Sequence, residues 1–283
     1  MKTVLLTTLL SLCVLPVFSA ATPLTFNIWP KLAPGETTAD LGKDTGDHGG
    51  NVLRLSDITA PQLTITRPDA KGARPAVLIF PGGGYGILAA DLEGTEIAAW
   101  LNNEGYVAAV LHYRVPGKRD GAFQDAQRAM STLRANAKQY GIDPKHIGVL
   151  GFSAGGHLTV RTACNYEKRA YEPIDKIDKV SCRPDFALPI YPAYLIEKDG
   201  QVAADVKPHA GMPPVFIMQT RDDPYFCVDA YAKALEEAKV PVKPVTYDKG
   251  GHGYGIRAGA DQPVHEWPVE AAKWIKEQVR AKR

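Results

Sequence analysis

Ser153 stands in Gly151-Phe152-Ser153-Ala154-Gly155, a G-x-S-x-G stretch. A serine placed this way is a candidate nucleophile for acyl transfer. Glycines two residues away on each side let the backbone turn sharply from strand to helix, so the hydroxyl stands clear of the sheet. A neutral hydroxyl is a poor nucleophile and needs a base. The base in turn needs an acid to orient it and to stabilise its charged form. After a nucleophile turn of this type the acid comes next along the chain, and then the histidine. His252, in Lys249-Gly250-Gly251-His252-Gly253-Tyr254-Gly255, is the best base: glycines flank it and little crowds it. His265, His157, His209, His48, His112 and His146 have weaker chemical contexts. Two carboxylates compete for the acid in Gln219-Thr220-Arg221-Asp222-Asp223-Pro224. Asp223 is preferred because it directly precedes the turn into Pro224, and Asp222 is held in reserve.

Acyl transfer also needs N–H donors aimed where negative charge develops. Pro81-Gly82-Gly83-Gly84-Tyr85 follows an apolar run that ends at Phe80. The expected donors are Gly83 or Gly84, together with Ala154 after the nucleophile. One such donor is worth about 3 kcal/mol of barrier. No Gly-Lys-Ser/Thr follows the glycines, which excludes a phosphate-binding P-loop.

These residues need elements to carry them. Pro75–Phe80 and Tyr106–Leu111 are continuous apolar runs, as buried parallel strands should be. His146–Leu150 leads into Ser153. Phe186–Ile190, Pro214–Met218 and Val242–Tyr247 read as further strands, and Gln62–Thr66 alternates like an outer antiparallel one. Helical spacing covers 93–103, 123–140, 229–238 and about 269–281. Residues 22–51, rich in Gly, Pro and Asp, read as an irregular arm. Strands alternating with helices predict an α/β fold, a mostly parallel doubly wound sheet with helices on both faces and no sizeable lid. Ligands of such sheets bind beyond the carboxyl ends of the strands. The loops holding Gly82, Ser153, Asp222 and His252 all fall there.

The 283 residues are 45% hydrophobic, enough core for one catalytic domain spanning residues 22–283. The net charge of +2 includes Lys2, which lies in a charged start followed by an apolar run and Ser19-Ala20-Ala21. Residues 1–21 therefore read as a secretory signal peptide, too short to read as a membrane span, with cleavage near Ala20 or Ala21. Leu12 before Cys13 rules out a lipoprotein signal. The balanced charge suggests neither nucleic acid nor an anionic membrane as partner. Export to an oxidising compartment makes a disulfide plausible, and Cys164 with Cys182 is the expected pair. Such a bridge would contribute about 3 kcal/mol. Cys227 is expected to be a buried, inert thiol.

At this point the chain resembles secreted bacterial α/β-hydrolases of the acetyl esterase and acetylxylan esterase type. The resemblance rests on Pro81-Gly82-Gly83-Gly84-Tyr85, Asp91-Leu92-Glu93-Gly94, Gly141-Ile142-Asp143-Pro144, Gly151 to Leu158, Cys182-Arg183-Pro184-Asp185-Phe186 and Gly250-Gly251-His252-Gly253. It implies the α/β-hydrolase fold and a Ser-Asp-His mechanism on small acyl esters, often acetyl groups on plant polysaccharides. Carried onto this chain, the triad is Ser153, Asp223 and His252. Relatives often open the glycine loop with histidine, where this chain has Pro81. That change spares the backbone donors.

The expectation is a carboxylic ester hydrolase acting on acylated carbohydrate, needing neither metal nor cofactor. Tyr85, Glu93, Tyr191 and His209 are the candidate substrate-binding residues, and Tyr194 and Tyr254 offer further stacking faces. Two rival chemistries remain. A glycoside hydrolase would need two facing carboxylates, for which Asp91 and Glu93 are the obvious pair. A peptidase would use the same triad on amides.

Overall fold

The computed structural model describes residues 22–281; the expected signal peptide lies outside them. The strands are β1 (Leu24–Asn27), β2 (Leu41–Asp44), β3 (Arg54–Ile58), β4 (Gln62–Thr66), β5 (Arg74–Phe80), β6 (Leu88–Ala89), β7 (Val107–His112), β8 (Ile142–Phe152), β9 (Ala187–Ile190), β10 (Val215–Thr220) and β11 (Val242–Tyr247). The helices are α1 (Glu96–Asn103), α2 (Arg119–Ala135), α3 (Ala137–Tyr140), α4 (Ala154–Cys164), α5 (Val228–Glu237) and α6 (Trp267–Ala281). The main sheet has the order β1-β4-β7-β5-β8-β9-β10-β11, and β2-β3-β6 forms a smaller one. From β7 to β11 every pairing is parallel, while β4 and β1 run antiparallel to their neighbours.

Side-chain alternation along β5 explains the layers. Ala76, Leu78 and Phe80 enter one apolar cluster, which includes Ala126 and Met130 of α2, Leu158 of α4 and Leu235 of α5. Val77 and Ile79 enter the other, with Ile97 and Leu101 of α1 and Trp267 and Ile275 of α6. A strand covered on both faces has no polar side to show, so it reads as an unbroken apolar run. Each fully buried Leu or Phe contributes about 1.5–3 kcal/mol.

Three expectations need correction. Residues 22–51 are not wholly irregular. Leu24–Asn27 pairs with β4, and Leu41–Asp44 pairs with β3. Both strands are largely exposed, so they lack a strong hydrophobic pattern. The helix expected over 123–140 starts at Arg119 and breaks at Asn136, whose backbone and side-chain N–H groups both go to the Thr132 carbonyl. The helix expected over 93–103 opens as a π-turn at Asp91–Thr95, in which the Thr95 N–H reaches back to the Ala90 carbonyl.

The expected Cys164–Cys182 disulfide is also corrected, because all three described cysteines are free and buried. The Cys182 thiol donates to the Tyr166 carbonyl, and the Cys164 sulfur faces Met212 and Tyr231. Ionic contacts tie down the intervening loop instead. Arg128 holds Asp175 at 2.7 Å and Asp178 at 3.0 Å, and Arg169 closes on the Val180 and Asp178 carbonyls.

Candidate active site

Ser153 sits between the last residue of β8 and the first of α4, at φ 52° and ψ −116°. That strained conformation survives because its surroundings fix it. Ser153 N–H donates to the Ile190 carbonyl of β9, and its own carbonyl accepts from His157 and Ala193. The turn depends on close backbone approach. A Cβ on Gly151 would strike the Gly155 carbonyl, and one on Gly155 would strike the Phe80 carbonyl. The Ser153 hydroxyl does not cap its helix, which leaves it for another partner.

That partner is His252. Its Nε2 lies 2.8 Å from Ser153 Oγ, and its Nδ1 lies 2.8 Å from Asp223 Oδ2. The three residues come from the ends of β8, β10 and β11, which are brought together by parallel pairing through β9. The Asp223 carboxylate is fully buried, and its other oxygen accepts the Tyr225 N–H. Asp222 has a separate task. It accepts the N–H groups of Gly250 and Gly251, and the Gly251 hydrogen bond leads in holding its carboxyl below the usual range. Thr220 Oγ1 adds a bond to the Gly251 carbonyl. The rings of Tyr191 and Tyr225 flank the imidazole at 5.1 and 5.0 Å.

The glycine loop is held by its carbonyls. Tyr113 donates to the Pro81 carbonyl at 2.5 Å, Ala89 N–H to that of Gly82, and Gly86 and Ile87 N–H to that of Gly83. In a trans peptide the N–H points away from the C=O. The N–H groups of Gly83 and Gly84 are thus turned away from the carbonyls fixed by Ala89, Gly86 and Ile87. Ala154, the first helical residue, has an N–H without an intrahelical acceptor. Gly83, at φ 132°, leaves no room for a side chain against Ile87.

A cavity of about 300 Å³ opens over these groups, lined by Gly83, Gly84, Ser153, His252, Tyr194 and Tyr225 among others. The arrangement can deliver a serine alkoxide to a carbonyl carbon and offer N–H donors to the resulting oxyanion.

Of the four expected substrate-binding residues, Glu93 alone reaches the lining of this cavity. Tyr85 is buried, with its phenol 2.8 Å from His157 Nδ1. Tyr191 is buried and donates to Glu93 Oε1 at 2.8 Å. Glu93 touches the cavity wall, but its carboxyl is buried and both oxygens are engaged, Oε2 accepting Gly82 N–H at 2.7 Å. Burial raises the Glu93 pKa, against the opposing pull of the Tyr191 and Gly82 bonds. His209 lies in a different cavity, its Nε2 bonded to the Cys164 carbonyl. Residue type does not reveal burial in a sequence, which is why the buried placement of Tyr85 and Tyr191 is not legible there. Tyr225 was missed. It is 47% exposed on the cavity rim, and its position two residues after the acid was the available signal.

Comparison with known proteins finds esterases and other hydrolases. The BD-FAE family model matches residues 63–186, a stretch that contains the glycine loop and Ser153. The "Acetylxylan esterase" of Xylanibacter ruminicola is 32% identical over 223 residues, covering 72% of this chain and 46% of that protein. The "Endo-1,4-beta-xylanase B" of Butyrivibrio fibrisolvens is 29% identical over 211 residues, covering 65% and 33%. The chain thus spans less than half the length of these two curated relatives. The crystal structure of an acetyl ester-xyloside bifunctional hydrolase from Caldicellulosiruptor lactoaceticus superposes with TM-score 0.74 at 28% identity, covering 90% of this chain and 96% of that one.

Proposed function

The chain is an α/β-hydrolase similar to acetyl esterases and acetylxylan esterases, and from that premise we propose that it removes short acyl groups, acetyl above all, from carbohydrate esters. The observation that carries this reading is the unbroken hydrogen-bond chain from Ser153 through His252 to Asp223. Ser153 Oγ attacks the ester carbonyl while His252 Nε2 takes its proton. Asp223 holds the other ring nitrogen and stabilises the imidazolium. The oxyanion collects the N–H groups of Gly83, Gly84 and Ala154. On collapse the C–O bond to the sugar breaks, and His252 protonates the departing alcohol. Water, deprotonated by the same imidazole, then releases the carboxylic acid and restores Ser153.

Cavity size supports a small acyl group. The partly exposed rings of Tyr194 and Tyr225 on its rim suit the apolar face of a pyranose. Export fits a polysaccharide substrate, and the charged start and apolar run of residues 1–21 support it.

The glycosidase alternative lacks its geometry here. Glu93 has both oxygens bonded within the protein, and Asp91 spends Oδ1 on Leu53 and Leu92 N–H and turns Oδ2 to Arg257. They do not form a facing pair across the cavity.

The test is acetate release from acetylated xylan and hydrolysis of p-nitrophenyl acetate, both abolished in Ser153→Ala. Reducing sugar released from deacetylated xylan by Ser153→Ala would favour the glycosidase. Faster cleavage of peptide anilides than of esters would favour a peptidase.

A further inference from the structure

Glu93 is a buried carboxyl beside the cavity that the mechanism above leaves without a task. It makes no salt bridge among the described residues, so the cost of burying it is offset mainly by the hydrogen bonds it accepts, with a smaller attraction to His252. Both bonds run to parts of the site that must act together. Oε2 accepts Gly82 N–H, and Gly82 is the residue before the oxyanion donors. Oε1 accepts the Tyr191 hydroxyl, whose oxygen accepts Gly255 N–H at 2.9 Å from the far side of the histidine loop. The Tyr191 ring meanwhile lies edge-on against the His252 imidazole.

The π-turn accounts for this placement. Its wider winding holds Glu93 buried, with Oε2 2.7 Å from Gly82 N. The fit is tight, since a Cβ on Gly82 would lie 2.5 Å from Glu93 Oε2 and 3.0 Å from Ser153 Cβ. Tyr191 itself adopts φ 34°, a conformation its hydrogen bonds help to retain.

We propose that Glu93 is a positioning residue that holds the Gly83 and Gly84 donors in register with His252, through the chain Gly82–Glu93–Tyr191–Gly255. The role deepens the ester-hydrolase reading and rests on it. Glu93 touches no reacting atom. It acts by fixing the spacing between the group that stabilises the oxyanion and the group that moves the proton.

The experiment compares Glu93→Gln, Tyr191→Phe and the double variant with the wild-type protein. The substrate is p-nitrophenyl acetate, and competent sites are counted by the burst from a slow p-nitrophenyl phosphonate, so unfolded protein drops out of the rate. Each single variant should lose about 10- to 100-fold in kcat per titrated site, with KM nearly unchanged, because the misplacement is felt in the transition state. The double variant should lose little more than the worse single one, since both cut the same chain. A kcat per site within twofold of wild type in both single variants overturns the proposal. So do fully additive losses, or a raised KM at constant kcat, which would make Glu93 a substrate contact. A wild-type protein that neither gives a burst nor hydrolyses esters overturns the ester-hydrolase reading itself, and this role with it.

Discussion

Asp222 and Asp223 are consecutive, yet they hold the histidine loop by different means. Asp223 reaches the His252 imidazole at 2.8 Å from a fully buried position. Asp222, exposed, takes the backbone N–H groups of Gly250 and Gly251. One carboxylate orients the base and the other anchors the turn that carries it.

The two aspartates should therefore respond differently to substitution. Asp223→Asn leaves the shape intact but offers the imidazole a wrong partner, and kcat should fall about 10⁴-fold. Asp222→Asn still accepts one of the two N–H groups, so the loss should be about tenfold or less. Steady-state hydrolysis of p-nitrophenyl acetate separates them. Equal losses would contradict this division of labour.

Gly83→Ala should cost kcat more than KM. The residue sits at φ 132°, and a Cβ would run into Ile87, so the loop must move and take its donor with it. A loss of about 10²–10³-fold in kcat is expected, the effect of removing one oxyanion donor. The circular dichroism spectrum should stay that of the wild type.

Stability should fall at acid pH through Asp175. The hydrogen bond from Arg128 leads in holding its carboxyl down to about 2, against about 3.9 in an unfolded chain. A folded value below the unfolded one means that the stabilisation is present above about pH 4 and disappears as pH falls towards 2. Asp175 is partly exposed, so about 1 kcal/mol is expected after screening. Asp175→Asn should lower Tm at pH 7 and reduce the further drop between pH 5 and 2. Parallel melting curves for the two proteins would count against the pairing.

Reductant should leave the melting temperature unchanged, because no bridge closes the loop between Cys164 and Cys182. Burial pushes the Cys164 and Cys227 thiols up to about 12, so iodoacetamide at neutral pH should spare them in the native protein. Denaturant without reductant should expose Cys164, Cys182 and Cys227 together, as mass spectrometry would register. A native mass lower by two hydrogens at Cys164 and Cys182 would restore the disulfide.

The strands that carry the site were legible because burial on two faces writes an unbroken apolar run. Pro75–Phe80, Tyr106–Leu111 and Pro214–Met218 each mark a strand to within two residues of its bounds. The exposed strands β1 and β2 were not legible, since they exist through pairing with segments distant in sequence. Chain order and glycine spacing singled out Ser153 and His252, because few residue types tolerate such turns.

The sequence by itself determined the fold class, the nucleophile turn and the candidate base, all of which depend on local backbone requirements and hydrophobic period. Tertiary structure decided which of two adjacent aspartates meets the imidazole, that Tyr191 lies under the site, and that the Glu93 carboxyl at the cavity wall is engaged by Gly82 and Tyr191. Tertiary structure likewise decided that Cys164 and Cys182 stay apart. Those outcomes depend on which side chains long-range pairing buries against each other, and no local pattern encodes that.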